Sequence, residues 1–149
     1  MVVNDTTVTI TLDQQEAMVL PNHIITLTPS ASPVEPEGYT VTSSEPSVAA
    51  ARLINGKVQV VGIKEGTTTI TVGSTDGAAV PATCLVTVYT ESGDVNCDGF
   101  IDINDVTGLI DYVLTGNIAN LKAANADYNN DNFVDIDDIT ALIDHVLGK

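Results

Sequence analysis

The stretch DVNCDGFIDIND, beginning at Asp94, sets four carboxylates three or four residues apart. DYNNDNFVDIDD begins at Asp127 and repeats the arrangement without a gap. Like charges this close oppose compaction unless something neutralises them. A hard divalent cation does so. Calcium takes about six to eight oxygens in tolerant geometry, supplied by positions 1, 3, 5, 7, 9 and 12 of a loop of about twelve residues. Asp94, Asn96, Asp98, Phe100, Asp102 and Asp105 hold those positions in the first loop, and Asp127, Asn129, Asp131, Phe133, Asp135 and Asp138 in the second. The phenylalanines would offer backbone carbonyls, and Asp102 would act through a water. Position 6, where the chain turns sharply, is Gly99 in one loop and Asn132 in the other, the next-best residue at positive φ. Ile101, at position 8, is expected to point inward.

Repetition in register, each copy followed by an amphipathic helix, separates this pattern from a solvated acidic run. The expected load is two Ca2+. Magnesium is the other ionic candidate, although flexible oxygen ligands favour calcium over a strict octahedron. Zinc is disfavoured because no His or Cys cluster exists. Both loops end in Asp rather than a bidentate Glu. From Asp94 onward there are eleven Asp, no Glu, and only Lys122 and Lys149 as bases. Eight of the eleven are candidate ligands, so the metal-free segment is expected to be largely unfolded. Neither loop is preceded by a full entering helix, and the cation reads as structural rather than as a sensor's trigger.

The elements that position these loops follow from apolar periodicity. Val106, Leu109, Ile110 and Val113 lie at helical spacing, as do Ile139, Leu142, Ile143 and Val146. Gly116 and Gly148 follow as C-terminal caps. Ile118 and Leu121 predict a brief linking helix between the repeats. Before about Tyr89 the period is two. TVTITL, HIITLT, YTVTSS, SVAAARLI, KVQVVGI, TTTITV and TCLVTVY read as six or seven strands of a β-sandwich. Asn55-Gly56 marks a tight hairpin and Asp76-Gly77 another turn. The joint Thr90-Glu91-Ser92-Gly93 is too short for a long flexible tether.

The chain has 149 residues, 44% of them hydrophobic, with 4% aromatics and no Trp, so its core rests on Val, Ile, Leu and Ala. Twenty acids against five bases give a formal net charge of −15. That excludes phosphate-led recognition of nucleic acid and disfavours anionic membranes. No apolar run reaches the ~20 residues of a membrane span. The start, MVVNDTTVTITL, does not read as a signal peptide, and Met1 leads almost directly into a strand pattern, as in a fragment of a longer protein. Cys84 shares parity with Val86 and Val88 and is expected to face a core, while Cys97 lies in the first acidic loop. His23 reads as structural. No nucleophile stands beside a base in a recognisable pattern, so no enzyme is expected.

DVNCDGFIDINDVTGLIDYVL and DYNNDNFVDIDDITALIDHVL resemble the dockerin family, over about Gly93 to Leu147. The resemblance implies a calcium-dependent, noncatalytic module that binds a cohesin-like protein. It implies that a secreted or cell-surface bacterial protein, such as a polysaccharide-degrading enzyme, is attached through it to a scaffold or cell surface. TVTSSEPSVAAA, NGKVQVVGIKEGTTTITV and ATCLVTVY resemble a bacterial immunoglobulin-like domain of group 2, with Thr42 where many members carry Trp. The expected fold class is therefore two domains: an all-β Ig-like sandwich over 1–90, then a small all-α dockerin over 91–149 with two EF-hand-like loop-helix units.

On the family's pattern the candidate partner contacts are Ile103, Asn104, Thr107, Gly108, Asp111 and Tyr112. Ile136, Asp137, Thr140, Ala141, Asp144 and His145 stand opposite them. The small hydroxyl and basic residues of many clostridial dockerins are absent here, so their partner specificity does not carry over. Two similar helices would let either face meet one partner. Ile103 and Ile136 read either as interface anchors or as intrachain packing, Tyr112 as a contact aromatic off the apolar stripe, and His145 as a surface residue. Asp111 and Asp144 serve as contacts or simply solvate their helices. The module is expected to be a monomer on its own. The alternatives are a calcium-stabilised structural or adhesion unit without a cohesin partner, and a carbohydrate-binding sandwich, which the scarcity of aromatics disfavours.

Overall fold

The computed structural model describes residues 7–119 and 121–149. The reading made of the first six residues lies outside them, as does Asn120 of the inter-repeat stretch. The chain is mostly β-sheet with three short helices near its C-terminus, and it divides into two compact units between Tyr89 and Thr90.

Among the described residues the first unit has nine strands: β1 (Thr9–Leu12), β2 (Glu16–Val19), β3 (Ile24–Leu27), β4 (Pro29–Ser32), β5 (Tyr39–Ser43), β6 (Ala49–Ile54), β7 (Lys57–Gly62), β8 (Gly66–Ser74) and β9 (Ala82–Val88). They form a four-stranded sheet, β2-β9-β8-β5, a three-stranded sheet, β3-β7-β6, and a β1-β4 pair. All pairings are antiparallel except β2 with β9.

The expected six or seven strands become nine because β2 and β4 carry little signal of their own. β4 is Pro-Ser-Ala-Ser, poor in β-forming residues, and begins at Pro29, which has no N–H to give to a ladder. β2 is a four-residue edge strand whose partner β9 lies some seventy residues away in sequence.

Period-two alternation builds the core. Leu27, Ala49, Val58 and Val60 from one sheet join Val19, Ile70, Val72, Cys84, Val86 and Val88 from the other, with Ile10 and Leu12 beside them. Cys84 is fully buried as expected, and no disulfide joins it to Cys97. Asn55 and Gly56 both take positive φ (52° and 76°), so β6 and β7 close as the tight hairpin read from the sequence. His23 sits just before β3, its Nδ1 2.9 Å from the Pro21 carbonyl.

Thr68 and Ser74 are the β8 positions that carry a hydroxyl into the interior. Thr68, which flanks the core residue Ile70, is 2% exposed, accepts the Glu45 N–H at 2.9 Å and lies 2.8 Å from the Ser43 hydroxyl. Thr68→Val keeps the shape and orphans that N–H. The expected loss is about 1–3 kcal/mol, read as a lower urea midpoint at unchanged slope. An unmoved midpoint would show that the N–H finds another partner.

The second unit holds α1 (Ile103–Thr115), α2 (Ala123–Ala126) and α3 (Ile136–Val146). Its core is Val95, Val106, Leu109, Ala126, Ile139 and Leu142, with Ile101, Tyr112, Val113, Val134, Ile143 and Val146 packed against it. Ile101 thus turns inward as expected. Three expectations need correction. The linking helix forms at Ala123–Ala126 rather than around Ile118 and Leu121, where only a Leu121 N–H to Ile118 carbonyl turn closes. Ile110 leaves the core stripe and is 38% exposed. Tyr112 is half-buried and packs on the core instead of standing clear of it. Gly116 caps α1 at φ 70°, its N–H reaching the Tyr112 carbonyl. Gly148 follows α3 at φ 75°. No helix among the described residues is long and apolar enough to cross a membrane.

Candidate metal centre

Each acidic loop wraps its backbone N–H groups around its own carboxylates. In the first, Asp94 Oδ1 accepts from the Asp98 N–H at 3.0 Å and Oδ2 from the Gly99 N–H at 2.9 Å. In the second, Asp127 accepts from the Asp131 and Asn132 N–H groups at 3.1 and 3.0 Å. The winding needs two left-handed residues per loop. Position 6 is one, with Gly99 at φ 89° and Asn132 at φ 74°. Position 4 is the other, with Cys97 at φ 62° and Asn130 at φ 60°. The second was missed in the sequence reading, since Asn130 hints at it but Cys97 does not.

The residue at the twelfth position has a second role in both loops. Asp102 and Asp135 are the N-caps of α1 and α3, and Asp105 and Asp138 complete a reciprocal capping box with them. The Asp102 N–H donates to Asp105 Oδ2 at 2.8 Å and the Asp135 N–H to Asp138 Oδ2 at 2.9 Å. Asp105 Oδ1 also accepts from Val95 and Asn96, and Asp138 Oδ1 from Asn129. The Asp-x-x-Asp spacing was the available signal.

The result is a twofold-repeated trio. Carboxylate oxygens of Asp94, Asp98 and Asp105 lie within 4.8 Å of one another, and those of Asp127, Asp131 and Asp138 do the same. Asn96 and Asn129 each donate to the position-5 carboxylate at 3.1 Å. Asp102 and Asp135 stand outside the trios, their Oδ1 atoms turned to the N–H groups of Asn104 and Asp137. Phe100 and Phe133 leave their rings in solvent. Three anionic oxygens converging on one point, with neutral amide oxygens near, fit a hard, oxygen-preferring cation.

Burial pushes the Asp94 and Asp105 carboxyls above the ordinary carboxylate range, against backbone N–H bonds that pull them down. A carboxyl whose folded-state pKa exceeds its unfolded value stabilises the fold fully below the ordinary value. It loses that contribution as pH climbs through the raised one. The cation-free second unit is therefore expected to regain helicity as pH falls from neutral towards about 4. Circular dichroism in chelator measures this, and a helical signal that does not rise on acidification contradicts it.

Of the expected contacts, Ile103, Asn104, Thr107 and Asp111 on α1 and Ile136, Asp137, Thr140, Asp144 and His145 at α3 are exposed. Gly108, Tyr112 and Ala141 are half-buried. His145 Nδ1 lies 2.9 Å from the Tyr128 hydroxyl. The sequence reading missed an outer apolar stripe. Ile103, Thr107, Ile110 and Leu114 fall at i, i+4, i+7 and i+11, one face of α1, with Ile103 61% and Leu114 78% exposed. Ile136, Thr140, Ile143 and Leu147 repeat the spacing along α3 and the residue after it, with Ile136 62% and Leu147 63% exposed but Ile143 half-buried against the core. The signal was a second helical period, hidden because Ile110 also fits the first.

A comparison with curated proteins finds no relative. Among solved structures the chain is similar to the C-terminal 282-residue fragment of intimin, crystallised with the intimin-binding domain of its translocated receptor, at 20% identity and a TM-score of 0.43. That match covers 83% of this chain, which spans half the length of the intimin fragment. It is also similar to the PKD domain of human KIAA0319, at 17% identity and a TM-score of 0.34, covering 55% of this chain and 80% of that one. A chain of the Coh-OlpA–Doc918 type I cohesin–dockerin complex of Clostridium thermocellum matches at 9% identity and a TM-score of 0.26, covering 56% of this chain and all of that one. Likenesses this distant carry no functional argument. The sequence family is the firmer finding: residues 92–147, which take in both acidic loops and both long helices, match the family model of the dockerin type I domain.

Proposed function

We propose that residues 91–149 are a calcium-loaded dockerin that docks a cohesin-like module, with an Ig-like sandwich of the bacterial group 2 kind over 1–90 as its spacer. The role is noncatalytic attachment. A secreted or cell-surface bacterial protein, such as a polysaccharide-degrading enzyme, is tethered through it to a scaffold. The observation that carries this reading is the twofold repetition of the carboxylate trio and its capping box inside the stretch that matches the dockerin family.

Each trio would hold one Ca2+, with Asn96 or Asn129, the Phe100 or Phe133 carbonyl, and Asp102 or Asp135 through water completing the shell. The cation supplies the positive charge that lets three carboxylates share a site. The chain's own residues do the rest. The capping boxes fix where α1 and α3 begin, and so fix the two outer stripes led by Ile103 and Ile136. Their acidic surroundings suit an apolar partner surface rimmed by basic residues. The module is a monomer on its own.

A pull-down against cohesin modules from the same genome, with calcium and with chelator, tests the proposal. Capture in calcium alone supports it, whereas no capture, or capture indifferent to chelator, overturns it. One observation favours a second reading, a calcium-stabilised adhesion unit without a cohesin partner: a cavity of about 280 Å³ on the three-stranded sheet, lined by Ile24, Arg52, Gln59 and Val61 among others. On that reading the first unit, expressed alone, makes the contacts.

A further inference from the structure

We infer that the two acidic loops are unequal cation sites: the first fills at lower free calcium than the second, so calcium level decides whether one docking face or both are ordered. The docking half of this statement rests on the function proposed above. The metal-binding half stands without it.

The two loops carry the same residue types at every candidate ligand position, so any inequality must come from their surroundings. Those differ. Asp94 is 1% exposed and Gly99 is buried, with Asn96 and Asp98 half-buried. Their counterparts Asn129, Asp131 and Asn132 are all exposed, and Asp127 is only half-buried. Asp105 accepts three backbone N–H groups, from Val95, Asn96 and Asp102. Asp138 accepts those of Asn129 and Asp135, while the Tyr128 N–H goes to the Ala126 carbonyl instead.

The first loop is also braced from outside. The buried Asn125 donates to the Asp94 carbonyl at 2.9 Å, and its own carbonyl accepts the Gly93 N–H. The Lys122 N–H reaches the Val95 carbonyl at 2.8 Å. Beside the second loop, Tyr128 leans on His145, which is exposed.

Each difference acts in the same direction. Carboxylates held away from water act on a cation through a lower effective dielectric and attract it more strongly. Because the unit folds as it takes up its first ion, the contacts that brace the first loop add to what holds that ion, whereas the exposed second loop gains fewer of them. The second loop runs through its Asp135–Asp138 box directly into α3. The α3 face, led by Ile136 and Leu147, is therefore the one ordered last.

Calorimetric titration of calcium into the chelator-stripped full chain tests this without any protein partner. The expected isotherm has two phases with dissociation constants at least about tenfold apart. Asp131→Asn is expected to remove the weaker phase. Because Asp98→Asn endangers folding, terbium added to the unsubstituted chain gives the second reading. Tyr128 occupies position 2 of the second loop, where the first has Val95. Tyrosine-sensitised emission should therefore lag the first phase of heat, and Tyr128→Phe should remove the lagging part. Two sites of equal affinity, loss of the tighter phase in Asp131→Asn, or emission that grows with the first phase each overturn the inference while leaving the proposed function intact. Absence of any heat overturns both.

Discussion

Chelation is expected to melt residues 90–149 and leave the sandwich before them folded. Among the described residues the second unit has six buried apolar side chains, and a domain of this size draws only about 3–5 kcal/mol of net stability from such a core. Against that stands the first trio. Its three carboxylates have oxygens within 4.8 Å of one another. At an effective dielectric of about 20, each ionised pair repels by about 3 kcal/mol. Three such pairs exceed what the core supplies, and the second trio adds to the deficit.

Backbone N–H bonds relieve part of the repulsion, and protonation relieves more, favoured at Asp94 and Asp105 chiefly by burial and to a lesser degree by the neighbouring carboxylate. At neutral pH neither suffices. The metal-binding energy is then the folding energy of the unit. The first unit contains neither trio, and its core of Leu27, Ile70, Val86 and their neighbours has no stake in the cation. The measurement is far-UV circular dichroism with limited proteolysis, in calcium and in chelator. Helical signal should vanish on chelation and return with calcium, while a fragment ending near Tyr89 survives protease in both. Helicity indifferent to chelator would refute the coupling.

What the sequence made legible was local. The candidate ligand positions 1, 5 and 12 are set by spacing inside a stretch of twelve residues, and their carboxylates come together in both loops. The Asn55-Gly56 hairpin is equally local, and both residues take the positive φ the turn requires. What escaped was decided at a distance, or by two roles falling on one residue. β4 exists because Ile10 and Leu12 have a partner strand available, not because Pro-Ser-Ala-Ser prefers extension. Ile110 satisfies the helical period of the core as well as that of the outer stripe. Periodicity alone cannot choose between them when the core is too small to cover half of each helix. Tyr112 shows the converse, since it lies off the strict stripe and is still drawn against the core because the unit has no Trp and little else of that size to fill the space. Asp105 and Asp138 read as shortened cation ligands until their N–H partners show that each also caps a helix.

The largest expected effect on binding comes from changing both outer stripes together. If α1 and α3 offer alternative faces to one partner, each is a complete mode of binding. Abolishing one of two equal modes halves the association constant, a change of about 0.4 kcal/mol. Ile103→Asp alone, or Ile136→Asp alone, should therefore weaken binding only about twofold. Both side chains are more than 60% exposed, so neither change empties the core. The doubly substituted chain has no intact face left. An apolar anchor at an interface centre is worth about 2–4 kcal/mol, so affinity should fall by about 30-fold to 1,000-fold. A carboxylate set against an apolar partner pocket pushes towards the upper figure. Calorimetry in saturating calcium, with helicity confirmed unchanged, separates the outcomes. A single variant as damaging as the double one would mean that only one face docks, as the differences between Tyr112 and His145 and between Gly108 and Ala141 permit. A double variant that binds normally would remove the helix stripes from the interface altogether.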